Sequence, residues 1–253
     1  MTEFEGPRTA IVTGGAKRIG AEISRALAAD GWHLLIHCNA SETEARALAA
    51  EVGEAAVVAA ELADPTAADR IMAALDGLPP PRLLVNNASR FVYDNADDFT
   101  LEAWDVHHAV NLRAPALLSR AFAARAEGGG LIVNLLDAKL PQPNPDFFTY
   151  TVSKMGLAGL TELTARAYAD RRIRVCGIAP SVTLVSGPQS RANFDQVHGL
   201  NALGRGVAVE EIVAALRFII ATPTLTGQTI TLDGGQRFLG LPRDVQFLET
   251  GHE

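Results

Sequence analysis

A doubly wound α/β fold is predicted for this 253-residue chain from three observations. Short apolar runs alternate with longer amphipathic stretches from end to end. The runs are continuous rather than apolar-polar alternating, as expected of parallel strands buried on both faces. A glycine-rich turn follows the first run directly and opens a helix, the arrangement of a βαβ unit. Right-handed crossovers between such strands put a ligand at their carboxyl ends.

The elements read in order as follows. Residues 9–13 are an apolar strand closed by glycines. Residues 18–30 have the spacing of an amphipathic helix, stopped near Gly31. Strands at 32–38 and 55–59 flank a helix at 41–52. Pro65, at a favoured first-turn position, opens a helix to about residue 75. Three prolines at 79–81 make a turn before a strand at 82–86. One long helix is expected over 101–126, stopped by Gly128, Gly129 and Gly130 ahead of a strand at 131–136. A helix at 150–170 precedes a strand at 173–178. Residues 180–206 are irregular and long for a connection in a compact domain, so a substrate-binding loop or lid is expected there. A helix at 209–220 and a strand at 228–232 complete the pattern. No repeat, linker or low-complexity segment divides residues 1–253, which implies a single domain.

Composition narrows the function. With 48% hydrophobic and 20% charged residues the chain is expected to fold around a sizeable core. A net charge of -7 argues against a nucleic-acid surface. No apolar run reaches the roughly 18 residues of a membrane helix, and the polar N-terminus has no signal-peptide core. Cys38 and Cys176 fall in separate strands and are expected to be buried, reduced thiols. A cytoplasmic protein without membrane or nucleic-acid partners is expected. Basic residues number 22, yet only Lys17, Lys139 and Lys154 are lysines. A lysine in so arginine-biased a chain points to a need for a compact, deprotonatable ammonium.

Four motifs carry chemistry. Thr13 to Gly20 joins the first strand to its helix. Its glycines allow close backbone approach to a pyrophosphate, the helix N-terminus offers free N–H groups, and Lys17 and Arg18 add charge. A tight turn alone would also use glycines. The second strand ends in His37, Cys38, Asn39, Ala40 and Ser41, with no acid before Glu42. An acid there would accept from the 2'-hydroxyl of NAD, so its absence beside Lys17 and Arg18 favours NADPH. Ser41 is also placed to cap the second helix. Asn86, Asn87, Ala88 and Ser89 end the fourth strand, where a cofactor would cross the sheet, although asparagines also form ordinary turns. Asn111 is a poor helix former in mid-helix, which suggests a functional role; His107 and His108 show no metal-ligand spacing.

Tyr150 and Lys154 lie one helical turn apart on one face. An ammonium beside a phenol favours the phenolate, so Tyr150 is expected to release its proton near neutral pH as hydride reaches a substrate. Asp137 stands upstream at a strand end.

These motifs resemble the short-chain dehydrogenase/reductase family over nearly the whole chain, to about Gly240. The family's TGxxxGxG loop matches at Thr13, Gly14 and Gly20, with Arg18 in place of its middle glycine. Its NNAG becomes Asn86-Asn87-Ala88-Ser89, its Pro-Gly becomes Pro180-Ser181, and its catalytic serine becomes Asp137. Its Asn, Tyr and Lys fall on Asn111, Tyr150 and Lys154. Together the departures resemble the pteridine reductase and bacterial dihydromonapterin/dihydrofolate reductase branch.

The resemblance implies a Rossmann-type sheet of about seven strands, order 3-2-1-4-5-6-7, with helices on both faces. It implies catalytic Asp137, Tyr150, Lys154 and Asn111. Cofactor contacts are implied at Gly14, Lys17, Arg18, Ile19, Ser41, Asn87, Ala88, Ser89, Tyr150, Lys154 and Pro180. A pterin would stack on Phe91, meet Arg18, Ser89, Asp137 and Tyr150, and be walled by Phe147. The implied activity is NADPH-dependent reduction of a dihydropterin or dihydrofolate by a homotetramer. A reductase of other ketones or alcohols and a non-catalytic NADP-binding sensor are the competing readings.

Overall fold

The computed structural model describes residue 4, residues 6–186 and residues 189–248. Residues 187 and 188 of the expected loop, and residues 1–3 and 5 of the N-terminus, lie outside the described residues.

Among the described residues, seven strands form one parallel sheet ordered β3-β2-β1-β4-β5-β6-β7. They are β1 (Thr9–Val12), β2 (His33–Cys38), β3 (Ala55–Ala59), β4 (Pro81–Asn86), β5 (Gly130–Leu135), β6 (Ile173–Pro180) and β7 (Thr229–Leu232). This is the predicted order. Side chains alternate between two apolar layers, because successive strand residues face opposite sides of a sheet. Ala10, Val12, Leu34, Ile36, Leu83 and Val85 pack on one side. Ile11, Leu35, Leu84 and Ile132 pack on the other. The first layer is closed by helices α1 (Arg18–Ala29), α2 (Glu42–Val52) and α8 (Val209–Ala221) through Ile23, Leu27, Leu48, Ile212 and Leu216. The second is closed mainly by α3 (Ala67–Ala73) and α5 (Ala114–Arg125) through Ile71, Leu118 and Phe122. Two-sided burial of these strands is the main stabilising term, since each fully buried Leu, Ile or Phe contributes about 1.5–3 kcal/mol.

β1 pairs with β2 on one side and β4 on the other. Chain connections diverge from that point, and their carboxyl ends leave a crevice. Among the described residues, no helix is long and apolar enough to cross a membrane. Cys38 and Cys176 are buried thiols that form no disulfide among the described residues.

Two elements depart from expectation. The single helix expected over 101–126 is α4 (Leu101–His108), a π turn (Ala109–Arg113) and α5. Pro115 supplies the cause. It has no N–H to donate to the Asn111 carbonyl, and its ring crowds that group. The excursion at 180–206 contains α7 (Arg191–Val197), whose Ser190 caps it by accepting from the Asn193 N–H at 3.1 Å. Phe194 and Val197 bury its inner face. Helix α6 (Phe148–Ala167) starts before Tyr150 rather than at it.

Candidate active site

A cleft of about 1010 Å³ runs across the carboxyl ends of the strands. Its β1–β2 end is shaped by the glycine turn. A Cβ on Gly20 would stand 2.1 Å from the Gly14 carbonyl oxygen, so only glycine lets α1 come this close to β1. Asn87 donates through Nδ2 to the carbonyls of Thr13 and Gly14 at 2.8 and 3.1 Å. Thr13 Oγ1 accepts from the N–H groups of Asn87 and Ala88 at 3.0 and 3.1 Å. The asparagine turn after β4 is thereby bolted to the glycine turn after β1. The Gly14 N–H donates to His37 Nδ1 at 3.2 Å, and His37 Nε2 meets the Ala60 carbonyl at 2.9 Å. Burial lowers the His37 pKa, which keeps the ring neutral as that pair of bonds requires. Sequence reading passed over His37, although a histidine inside an apolar strand was a signal for such a bridge.

The donors of a phosphate cradle are present. Lys17 occupies the N-cap of α1, no side chain caps that helix, and its first turn holds no acid. Its leading N–H groups therefore remain available to an anion. Arg18 has φ 54°, a left-handed conformation that favours glycine. The family's glycine preference at this position is a matter of backbone shape, and Arg18 adopts that shape at a cost of about 1 kcal/mol. Among the described residues, Arg18 has no hydrogen-bond or ion-pair partner, and it lines the cleft with Ile19. These features fit a dinucleotide pyrophosphate.

The end of β2 carries no acid, as read from the sequence, and its surroundings add two. Lys17 is paired with Glu44 at 2.5 Å, on α2, and Asn39 donates to Glu61 at 2.5 Å. Acids do stand near this end, supplied by neighbouring elements rather than by the end of β2. Ser41 sits at the N-cap of α2 but makes no capping bond, leaving its hydroxyl on the cleft wall.

At the other end, strand pairing continues past β5. Leu136 N–H donates to Ile178 O at 2.7 Å and Ala138 N–H to Pro180 O at 3.1 Å, holding Asp137 between them. Pro180 also lines the cleft. Tyr150 Oη donates to Asp137 Oδ2 at 2.9 Å, and the Lys139 N–H donates to Asp137 Oδ1 at 2.9 Å. Burial, then the Asp137 carboxylate, push the Tyr150 pKa well above its usual value. This overturns the expected phenolate: Lys154 does not offset those effects, because its Nζ donates to the Leu135 carbonyl at 2.7 Å and lies 5.7 Å from the Tyr150 ring centre. Burial in turn lowers the Lys154 pKa to about 8, against the opposing influence of Asp137.

Asn111 is fully buried in the π turn. Its Oδ1 accepts from the Arg90 N–H at 2.8 Å and from Ser89 Oγ at 3.2 Å. Its Nδ2 donates to the Arg90 carbonyl at 2.9 Å and to Ser153 Oγ at 3.0 Å. These bonds fix residues 89–90 against α6, so the side chain positions the wall instead of entering the cleft. His107 does similar work: it bonds Thr149 Oγ1 at 2.7 Å and receives the Val92 N–H at 3.3 Å. Phe91 lines the cleft, edge-on to Tyr150 at 4.7 Å. Phe147 was expected to wall the pocket. It is instead buried behind Phe91, stacked on it at 4.2 Å, with φ 54° at the residue preceding α6.

Sequence reading missed a further part of the wall. Lys139 lines the cleft and donates to Asn144 and the Asp146 carbonyl; lysine scarcity had marked it. The C-terminal segment, beyond the expected limit at Gly240, brings in Leu241, Asp244 and Gln246.

The chain resembles known proteins along most of its length. It is 38% identical to FolM alternative dihydrofolate reductase 1 from Brucella canis, solved with NADP, over 92% of this chain and 94% of that one, with a TM-score of 0.87. A blue fluorescent protein from a metagenomic library, solved with NADPH, matches at 27% identity and a TM-score of 0.84, covering 92% and 98%. L-xylulose reductase of Bos taurus is 31% identical over 90% of this chain and 96% of its own length. The branch suggested by Arg18, Ser89 and Asp137 agrees with the first of these likenesses. The short chain dehydrogenase family model matches residues 8–195, and the chain belongs to that family.

Proposed function

We propose that the protein is an NADPH-dependent reductase of dihydropterins or dihydrofolate. The observation that carries this reading is the 2.9 Å bond between Tyr150 and Asp137 beside Phe91, which lines the cleft. A flat heterocycle rich in donors and acceptors stacks on an aromatic face and presents a ring nitrogen to an acid. The likeness to structures solved with NADP supports the cofactor, as do the uncapped α1 N-terminus and Arg18.

Gly14, Lys17, Arg18, Ile19, Ser41, Asn87, Ala88, Ser89 and Pro180 would hold the cofactor, with Tyr150 and Lys154 near its reactive end. Bound NADPH supplies hydride to a ring C=N carbon. The displaced electron pair goes to the ring nitrogen, which takes a proton from the Tyr150–Asp137 pair. With Asp137 ionised, Tyr150 spends its hydrogen on the carboxylate. Once Asp137 takes up a proton it becomes the donor, and the phenol hydrogen turns to the substrate. Asn111 acts by positioning residues 89–90. Ser89 and Arg18 contact the substrate, and Phe147 contributes by supporting Phe91. A cytoplasmic homotetramer belongs to the same reading.

Purified protein with NADPH and a panel of dihydrobiopterin, dihydrofolate and simple ketones tests this. Consumption of the dihydropterin or dihydrofolate is expected. Relatives named for xylulose and 3-oxoacyl reduction make ketones the competing class, and turnover of ketones alone would replace the reading. Cofactor binding without turnover of any of them would favour a sensor.

A further inference from the structure

The segment after β7 crosses back over the substrate end of the cleft and is fastened there in three ways. Arg243 Nε pairs with Asp146 Oδ2 at 2.7 Å, and the Asp244 N–H donates to the same oxygen at 2.7 Å. Despite burial, those contacts hold the Asp146 carboxyl below its usual pKa, so it anchors the segment as an anion. Phe247 stacks on Phe147 at 5.9 Å and meets Tyr93 edge-on at 5.0 Å, joining the aromatic group that supports Phe91. Asn193, on α7, donates to the Gln246 carbonyl at 3.3 Å.

This fastening aims one carboxylate at the cleft. Asp244 lines it, and one of its oxygens accepts from the Gln246 N–H at 3.2 Å. The other oxygen has no protein donor among the described residues. Burial raises the Asp244 pKa, Lys139 opposes that, and Asp137 and Asp146 add to it. A half-shielded carboxylate with an unfilled oxygen is strongly selective: a ligand edge with N–H donors satisfies it, and an apolar or carbonyl edge leaves it desolvated and unpaired.

We propose that Asp244 is a specificity-determining residue that accepts hydrogen bonds from an amidine-type edge of the substrate, an exocyclic amino group next to a ring N–H. The inference rests on the pterin reading above. It divides the recognition of one planar ring between two carboxylates. Asp137 serves the edge that gains a proton, and Asp244 serves an edge that only donates. A simple ketone offers nothing to the second, so Asp244 selects against ketones.

The test compares 7,8-dihydrobiopterin with its analogue lacking the 2-amino group, at saturating NADPH, in wild type and Asp244→Ala. Wild type should favour the amino compound by at least about 20-fold in kcat/KM, mostly through KM, because a site built for a donor rejects ligands without it. In Asp244→Ala the preference should fall to within about threefold, with NADPH affinity unchanged, the lost selectivity being the mark of a missing acceptor. Asp244→Asn keeps an acceptor for the Gln246 N–H and should give an intermediate ratio; it serves as the readout if the alanine variant does not fold. An undiminished preference in the variants, or no preference in wild type, overturns the role of Asp244 and leaves the pterin reading standing. Failure of wild type to reduce dihydrobiopterin overturns both.

Discussion

The two ends of the cleft are built in opposite ways. Around Asp137, Tyr150 and Lys154 each polar group has a fixed partner, and both Tyr150 and Lys154 are buried. Around Lys17 and Arg18 the side chains are exposed, and Lys17 is held by Glu44 in a pair that solvent screens. On the proposed function, the difference follows from the task. Moving a proton needs donor and acceptor within hydrogen-bond reach, so rigid strand ends and a helix supply the groups. Recognising a phosphate needs charge and free N–H groups, which tolerate mobile side chains over a fixed backbone turn.

Substitutions should therefore have steep effects at the buried end and shallow ones at the exposed end. Tyr150→Phe is expected to cut turnover of a dihydropterin by at least about 100-fold with NADPH binding nearly intact, the usual scale of positioned acid–base help. Single-turnover rates and NADPH fluorescence titration check both halves; near-normal turnover would remove the comparison's foundation. Asp137→Ser should lower dihydropterin turnover by tens- to hundreds-fold, a loss of roughly 2–3 kcal/mol in transition-state stabilisation. Full activity in that variant would return a ketone to the lead.

The pH profile sharpens the same contrast. Lys154 is charged below its pKa of about 8 and neutral above it. Activity that needs the ammonium is expected to fall as pH rises through that value, about tenfold per unit once the proton is lost. A rate that climbs through pH 8 to 9 would separate Lys154 from the reaction.

At the exposed end, NADPH should be preferred over NADH by at least about tenfold, or about 1.4 kcal/mol. Comparison of kcat/KM for the two cofactors decides it, and equal values would refute the phosphate assignment. The smallest effect belongs to Glu44→Gln. Freeing Lys17 should lower the NADPH KM by about two- to threefold, the scale of an exposed ion pair, and leave the NADH KM unchanged. An effect as large as that of Tyr150→Phe would show this end to be as tightly organised as the other.

Much of this was legible because it is local. Continuous apolar runs bounded by glycine or proline mark strands and turns, so the parallel sheet could be read before any contact was known, while its strand order came from the family resemblance. Tyr150 and Lys154 share a helix, so their proximity needs only regular geometry, and the family resemblance placed Asp137 beside them. What escaped depends on distant partners. Glu44 reaches Lys17 from another helix. Arg243 and Asp244 gain meaning only against Asp146, far away in sequence. The Tyr150 proton was misjudged because a neighbouring ammonium is visible in the sequence, while burial and the reach of Asp137 are not. Helix α7 and the π turn lay between these cases: Ser190 and Pro115 were signals, each small beside the longer pattern around it.

That π turn has a consequence for how one stripe of side chains is shared. In an unbroken α-helix, His107, Asn111, Leu118 and Phe122 would fall along a single face. The wider turn underwinds the chain, by up to roughly 100° if it accommodates one extra residue. The stripe is thereby split in azimuth. Its first half addresses α6, through Thr149 and Ser153, and its second half fills the apolar layer against the sheet. A one-residue deletion within 109–113 would remove the wide turn and keep the halves at that offset, whereas forcing the full-length segment into an unbroken α-helix would bring them into phase, and the helix could then face α6 or the core, but not both.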